Sequence, residues 1–253
     1  MAENAGNTFR QRLCSGERLF GTIVSMATPE VPEILSAAGF DWLFIDSEHA
    51  PLSDDAIRLL ILAAAQTPCL VRVPALDEAA IKKALDAGAA GIIVPQVNTA
   101  AQAERAASYA RYPPLGQRGV GISRAQHYGF GVQEYINQAN DHVAVVVQAE
   151  HWQAVDNIES IAATAGIDAV FVGPYDLSAS LGKAGKVADA SVTAAVDRIT
   201  RACLQARVRL GVFGASAPAV RPYISAGYTL IATGTDTLFL GQNARDTLAT
   251  LKA

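Results

Sequence analysis

Short, almost uninterrupted apolar runs recur along the chain, each followed by a longer stretch with apolar positions at helical spacing. The short runs are LFGTIVS (19–25), DWLFID (41–46), CLVRV (69–73), GIIVP (91–95), VAVVVQA (143–149), AVFVG (169–173), RLGVFG (209–214) and TLIATG (229–234). Strands apolar on nearly every position are those buried on both faces, as in a parallel sheet covered by helices. Helical candidates lie between them: EVPEILSAAG, SDDAIRLLILAAA, DEAAIKKALDAG, TAAQAERAASYA, WQAVDNIESIAATAG and APAVRPYISAG. Several open on Ser, Thr or Asp and close on Gly, the residues that cap helix ends. Eight such β-then-α units predict a (β/α)₈ barrel forming a single α/β domain over residues 1–253. A doubly wound open sheet is the alternative, but no glycine fingerprint follows the first strand. Two regions break the rhythm, an insertion at 111–142 between strands four and five and a Gly/Lys/Ala loop at 182–190 after strand six.

Composition narrows the partners. With 51% hydrophobic residues, 17% charged and a formal charge of −4, there is material for a large core and no electrostatic case for nucleic acid or anionic lipid. Cys14, Cys69 and Cys203 are odd in number and unclustered, which suits buried thiols in a reducing compartment. No apolar run approaches the ~18 residues of a membrane span, and the polar N-terminus lacks a signal-peptide core. A cytoplasmic protein with no membrane or nucleic-acid partner is the expectation.

Candidate chemistry sits where the apolar runs stop. In DWLFIDSEHAP, four large apolar residues lead directly into Asp46, Ser47, Glu48 and His49. In a barrel, side chains at the C-terminal strand ends converge on the face where active sites form. The same position on other strands supplies Arg72, Gln96, Gln148, Glu150 and, after Gly173 and Pro174, Asp176. Asp46 to Arg72 is 26 positions, Arg72 to Gln96 is 24 and Glu150 to Asp176 is 26, about one unit each, so these groups keep one phase. A single Asp or His after a strand is ordinarily a helix cap, and a single Arg ordinarily pairs with an acid. Five ionisable groups in matching phase on four strands point instead to one site. Glu150 and Asp176 would repel unless a proton or cation lay between them, and hard oxygen ligands suit Mg²⁺ or Mn²⁺. A glycosidase pair is the weaker reading of these carboxylates, because it does not account for the neighbouring Arg72 and the Asp46/His49 set.

These motifs together, with LVRVP, GIIVPQV, RYPPLGQRGVG, VVVQAE and VFVGPYDLSASLG, resemble the HpcH/HpaI family of class II pyruvate-dependent aldolases, the 4-hydroxy-2-oxoheptanedioate and 2-dehydro-3-deoxyglucarate aldolase group. The likeness runs from about residue 20 to 240. It implies a barrel that assembles as a homo-oligomer, usually a hexamer built from dimers that exchange their C-terminal helix. It also implies a divalent cation (Mg²⁺, Mn²⁺ or Co²⁺) held by Glu150 and Asp176. On the same resemblance, Arg72 steadies the keto oxygen of pyruvate and His49, oriented by Asp46, acts as acid and base. Gln148 would contact the pyruvate, whose carboxylate would rest on the amides that follow Gly173 and Pro174. Departures from the family pattern are Ser47 where Gly is frequent, Gln148-Ala149-Glu150 in place of Gln-Ile-Glu, a first strand GTIVSM without the Trp of some relatives, and ATGTD in place of Val-Gly-x-Asp. The last two border the aldehyde pocket, and Arg124, His127 and Tyr128 of the insertion are candidates to reach it.

The expected reaction removes a C3 proton from pyruvate and adds the resulting enolate to an aldehyde, giving a 4-hydroxy-2-oxo acid. A Schiff-base route would need a lysine inside the barrel, whereas Lys82 and Lys83 lie on a helix and Lys183 and Lys186 in a loop. Rival readings are a phosphate-binding enzyme using Gly214 and Gly234, a citrate-lyase-like enzyme acting on a coenzyme A ester, and a non-catalytic barrel serving as scaffold.

Overall fold

The computed structural model describes residues 8–253. Its strands are β1 (Leu19–Val24), β2 (Trp42–Asp46), β3 (Cys69–Arg72), β4 (Gly91–Val94), β5 (Ala144–Ala149), β6 (Ala169–Val172), β7 (Arg209–Gly214) and β8 (Leu230–Thr235). Each pairs in parallel with the next, and β8 pairs with β1, closing the barrel. All eight apolar runs are strands. Helices are α1 (Phe9–Ser15), α2 (Glu30–Ala37), α3 (Asp54–Ala63), α4 (Glu78–Asp86), α5 (Ala100–Ala110), α6 (Val132–His142), α7 (Trp152–Asp156), α8 (Ile158–Ala162), α9 (Pro174–Ser180), α10 (Ala190–Ala206), α11 (Ala217–Ser225) and α12 (Asp236–Lys252). No described helix is long and apolar enough to cross a membrane.

Start signals work as the sequence implies. Ser53, Asp77 and Thr99 each accept a backbone N–H from the first turn of α3, α4 and α5, and Thr99 forms a reciprocal capping box with Gln102. The run 152–166 is not one helix. It breaks at Asn157 (φ −104°, ψ 9°), whose side-chain amide donates to Asn98 O and Gln153 O.

Alternation along the strands divides the core in two. Trp42, Phe44, Leu70, Ile93, Val146 and Phe171 belong to a cluster inside the barrel, whereas Leu43, Ile45, Val71, Val145 and Val147 join the cluster between strands and helices. Continuing the inward phase by two residues gives Asp46 after Phe44, Arg72 after Leu70, and Gln148 then Glu150 after Val146. The polar groups are therefore the top rung of the interior stack. At the opposite end, Phe9 and Leu13 of α1 join the inner cluster and close the barrel floor. The Trp42 indole lies flat against Gly21, where a Cβ would stand 2.5 Å from the ring.

The insertion holds α6 and a 3₁₀ turn (His127–Gly129). It joins the end of α5 to the start of β5, so it lies at the N-terminal face of the barrel. The Arg118 guanidinium sits over Tyr112 and Tyr135, 4.7 and 5.3 Å from their ring centres, and pairs with Asp86 at 2.8 Å. Arg124 donates to Ala87 O at 3.1 Å and, with His127 and Tyr128, lines a cavity of about 650 Å³ that also includes Phe9, Gly88 and His142. Within one chain, these three residues are thus at the opposite end from the strand termini that carry Asp46 and Arg72, contrary to the expectation that they reach an aldehyde there.

Buried Asp168 ties this lower end together, accepting from Arg10 Nε (2.9 Å), Arg111 Nη2 (3.3 Å) and Val145 N (2.8 Å). Removing one partner of a buried ion pair leaves the other charge uncompensated, so Asp168→Ala is expected to destabilise the fold by about 3–5 kcal/mol. Urea unfolding at neutral pH measures this, and a loss below about 1 kcal/mol would show that the cluster is not a staple.

Candidate active site

Asp46 and Arg72 are register partners on β2 and β3. The carboxylate grips the guanidinium through two bonds, from Nε to Oδ1 at 2.9 Å and from Nη2 to Oδ2 at 2.7 Å. Beneath them, the Phe44 ring centre lies 5.1 Å from the guanidinium carbon, an aromatic floor of the kind arginine stacks on. Burial opposes ionisation of Asp46, but the Arg72 bond and charge, with backbone N–H groups from Glu48 and His49, outweigh it and hold the carboxyl below its ordinary value. Ser47 closes the turn from the other side, its N–H and hydroxyl both donating to Arg72 O.

The polar contacts continue across the mouth. Arg72 Nη1 approaches Gln148 Oε1 at 3.5 Å, Gln148 donates to Glu150 Oε2 at 2.6 Å, and Glu150 Oε1 accepts the backbone N–H of Gln96 at 2.9 Å. Gln96 thus contributes its main chain, held in the left-handed region at φ 53°, while its side chain is exposed. Burial pushes the Glu150 carboxyl up to about 7; the Gln96 amide opposes this, and the nearby charges of Glu48 and Asp176 add to it. A Cβ built on Gly173 would stand 3.0 Å from Glu150 Oε2 and 3.7 Å from Asp176 Oδ2, so both carboxylates face the same bare glycine. Pro174 follows at the first position of α9, and Gly173 offers no side-chain acceptor to that helix's leading amides.

His49 differs from its expected arrangement. Its ring is largely exposed, and the nearest carboxylate is Glu48, 3.6 Å from Nε2, because Asp46 is already filled by Arg72. Asp46 therefore orients His49 through the backbone. Glu48 Oε2 also lies 3.2 Å from Arg72 Nε, yet it is buried without a hydrogen-bond donor, and burial raises its carboxyl above the ordinary value.

A cavity of about 220 Å³ opens among these groups, lined by His49, Arg72, Gln148, Gly173 and Asp176 over an apolar base that includes Phe44 and Phe171. A water molecule takes about 30 Å³, so a three- or four-carbon acid fits. Among the described residues no three His, Cys, Asp or Glu side chains form a metal-binding group. The donor set is two carboxylates at a bare glycine, with the orphaned Glu48 oxygen at the same mouth. That set fits a hard divalent cation whose remaining positions are filled by small ligands. Gly214 and Gly234 do not form a phosphate cradle: Cβ atoms there would meet Val220 at 2.7 Å and Phe239 at 2.4 Å, so both glycines serve close helix packing.

The family described as HpcH/HpaI aldolase/citrate lyase matches residues 19–242. The chain belongs to this family. It is 41% identical over 250 residues to a hydroxypyruvate/pyruvate aldolase of Paraburkholderia phytofirmans, covering 97% of this chain and 93% of that one. It is 39% identical to a hydroxypyruvate/pyruvate aldolase of Deinococcus radiodurans, covering 97% and 90%. Among solved structures, an HpcH/HpaI family protein of Burkholderia cenocepacia superposes with a TM-score of 0.92 at 39% identity, covering 96% and 98%. This HpcH/HpaI protein is accordingly an enzyme of the aldolase/lyase kind, making or breaking a carbon–carbon bond by aldol chemistry.

The raised Glu150 carboxyl has a signature in stability. Its folded value, about 7, exceeds its ordinary 4.5, so this group's contribution is fully present below 4.5 and is lost as pH rises through 7. In chelator, Glu150→Gln is therefore expected to gain on the parent protein by on the order of 3 kcal/mol between pH 4.5 and 8. Urea midpoints across that range measure it, and parallel pH profiles for the two proteins would refute the assignment.

Proposed function

We propose that the mouth binds a 2-oxo acid of the pyruvate or hydroxypyruvate kind together with a divalent cation, and that the enzyme adds it reversibly to an aldehyde to give a 4-hydroxy-2-oxo acid. One observation carries the reading: Arg72, Gln148, His49 and Asp176 face a single small cavity whose Gly173 wall also meets the Glu150 carboxylate. The relatives that act as hydroxypyruvate/pyruvate aldolases support the substrate class. Glu150 and Asp176 are the residues suited to hold Mg²⁺, Mn²⁺ or Co²⁺. Bound there, the cation would supply Lewis-acid polarisation of the keto oxygen.

The chain's own groups divide the remaining work. Asp46 occupies Nε and Nη2 of Arg72, which leaves Nη1 to donate toward Gln148 and the keto oxygen as charge develops on it. The leading amides of α9, behind Gly173 and Pro174, are uncapped by any side chain and suit the substrate carboxylate. His49, with Glu48 beside it, is the group to take the C3 proton and return one to the new alkoxide. Phe44 and Phe171 keep the floor dry, which strengthens each of these interactions. The lining contains no lysine for a Schiff base.

A homo-oligomer, with a hexamer as its form, belongs to the same reading. Helix α12 leaves the barrel with Leu238, Leu240, Leu248 and Leu251 exposed, an apolar face suited to a second copy of this chain. Light scattering of the full chain is expected to give about six chain masses; a monomer would overturn the exchanged-helix assembly.

Exchange of the pyruvate C3 protons in heavy water tests the chemistry. Exchange should occur with Mg²⁺, Mn²⁺ or Co²⁺ and stop with chelator. Glu150→Ala should abolish ion binding and exchange together, whereas His49→Ala should keep ion binding and slow exchange by ~10²-fold or more. No exchange with any of the three ions would sink the aldolase mechanism, and a fully active His49 variant would remove that residue's role.

A further inference from the structure

On the proposed reading Glu150 and Asp176 hold the cation, yet the sheet does not set the distance between them. The β5–β6 ladder ends at the pair Ala149 and Val172, and the bond that follows it, Gly173 N to Ala149 O, is long at 3.4 Å. Glu150 lies one residue past the end of β5, and Asp176 lies in the first turn of α9, four residues past the end of β6. Their separation therefore depends on what holds α9 against the chain that leaves β5.

Among the described residues, one hydrogen bond past Gly173 joins residues 150–156 to residues 173–182. Trp152 N, the first amide of α7, donates to Ser180 Oγ at 3.0 Å, and Ser180 Oγ donates to Leu177 O at 2.8 Å. The hydroxyl is used as donor and acceptor at once, which fixes its rotamer. Asp176 and Ser180 are four positions apart in α9, so they share a face and stand about 6 Å apart along the axis. Glu150 and Trp152 are two positions apart in the chain that faces them. Helix and chain thus meet at two points, the carboxylates at the mouth and the Ser180 bond behind them. Ser178, two positions from each and fully buried, faces the other way; its hydroxyl donates to Tyr175 O at 2.6 Å and accepts Gly185 N at 3.0 Å from the loop beyond the helix.

We propose that Ser180 is a positioning residue for the cation site: by accepting the Trp152 amide it sets the separation of Glu150 and Asp176, and so the affinity for the ion. It contributes no ligand itself. The proposal rests on the reading that these two carboxylates hold the cation. Two carboxylates brought together without an ion repel, so α9 is driven outward unless a contact elsewhere on the helix restrains it. The Ser180 bond opposes that spreading. A ligand pair already held at its working distance needs less reorganisation when the ion arrives, which is how groups behind the ligands tune metal affinity.

Titration of the full chain with Mn²⁺ in the absence of oxo acid, with free ion followed by electron paramagnetic resonance, reads the effect directly. Ser180→Ala is expected to raise Kd about tenfold, and Ser180→Thr, which keeps the hydroxyl, to stay within about threefold of the parent. Ser160→Ala removes a comparable bond inside α8, 2.8 Å to Asn157 O, and should leave Kd within about twofold. Trp152→Pro deletes the same bond from the donor side: His151 is extended (φ −133°, ψ 149°), and the first position of a helix accommodates proline. Its reference is Trp152→Ala, which loses the ring and keeps the amide. The Pro variant should bind about tenfold more weakly than this reference, and adding Ser180→Ala to it should cause no further loss. An unchanged Kd in Ser180→Ala, equal Kd values for the two Trp152 variants, or additive losses in the double variant would overturn the role of Ser180. Each side of the bond has its own variant, so one that fails to fold leaves the other to decide. A parent protein that binds no Mn²⁺ is a different result: it removes the cation reading and this proposal with it.

Discussion

The mouth of the barrel depends on the buried pair between Asp46 and Arg72. Taking two charges out of water costs several kcal/mol each, and the cost is recovered only when geometry is good and the remaining hydrogen-bonding capacity is used. Here the contact is bidentate, and the Asp46 carboxylate also accepts the amides of Glu48 and His49. One carboxylate thereby sets both the orientation of the cation and the path by which the chain leaves β2. The reciprocal bonds from Ser47 to Arg72 O make the arrangement two-sided. Arg72 is left with Nη1 directed toward Gln148, and the contacts to Glu150 and the Gln96 amide are reached from there.

Much of this was legible because burial on both faces marks the strands, and because the two-residue period then says which side chains point inward. Trp42, Phe44 and Asp46 form one inward series, and Leu70 with Arg72 another, so the convergence of charge at the strand ends followed from phase alone. Partner choice did not. The family resemblance implies that Asp46 orients His49, but a strand running into a turn brings the backbone amide of His49 to the carboxylate, while Arg72 lies directly across in register. The contribution of Gln96 was hidden for another reason: its amide, not its side chain, reaches Glu150, and main-chain donors leave no mark in a pattern of residue types. Helix α1 leaves no clear mark in the sequence because seven residues with two buried positions, Phe9 and Leu13, carry too little periodicity; its role comes from the open barrel floor it fills.

The place of the insertion follows from topology, not from its residue types. A segment that leaves the end of a helix and enters the start of a strand lies at the N-terminal face, whatever residues it contains. Arg124, His127 and Tyr128 read in the sequence as insertion residues able to reach the aldehyde, or as solvated loop residues. Their place is fixed instead by Arg118, which is buried between Tyr112 and Tyr135 against Asp86 and draws the whole segment onto the lower end of α4. Connection type outranks residue type when the question is which end of a barrel a loop serves.

Charge at the mouth then limits how the site can work. Asp46 is matched by Arg72, which leaves Glu48, Glu150 and Asp176 around one small space. The first two are raised by burial, and the charges of Glu48 and Asp176 push Glu150 further in the same direction. An anionic oxo acid brought into that space adds another negative charge, so it binds well only if protons or a cation offset the set. Protonation would neutralise the carboxylates at the expense of their value as ligands and proton acceptors. On the proposed reading, a divalent cation held by Glu150 and Asp176 would offset the same charge without protonating its ligands, and would supply metal-assisted chemistry in place of acid catalysis by a protonated pair.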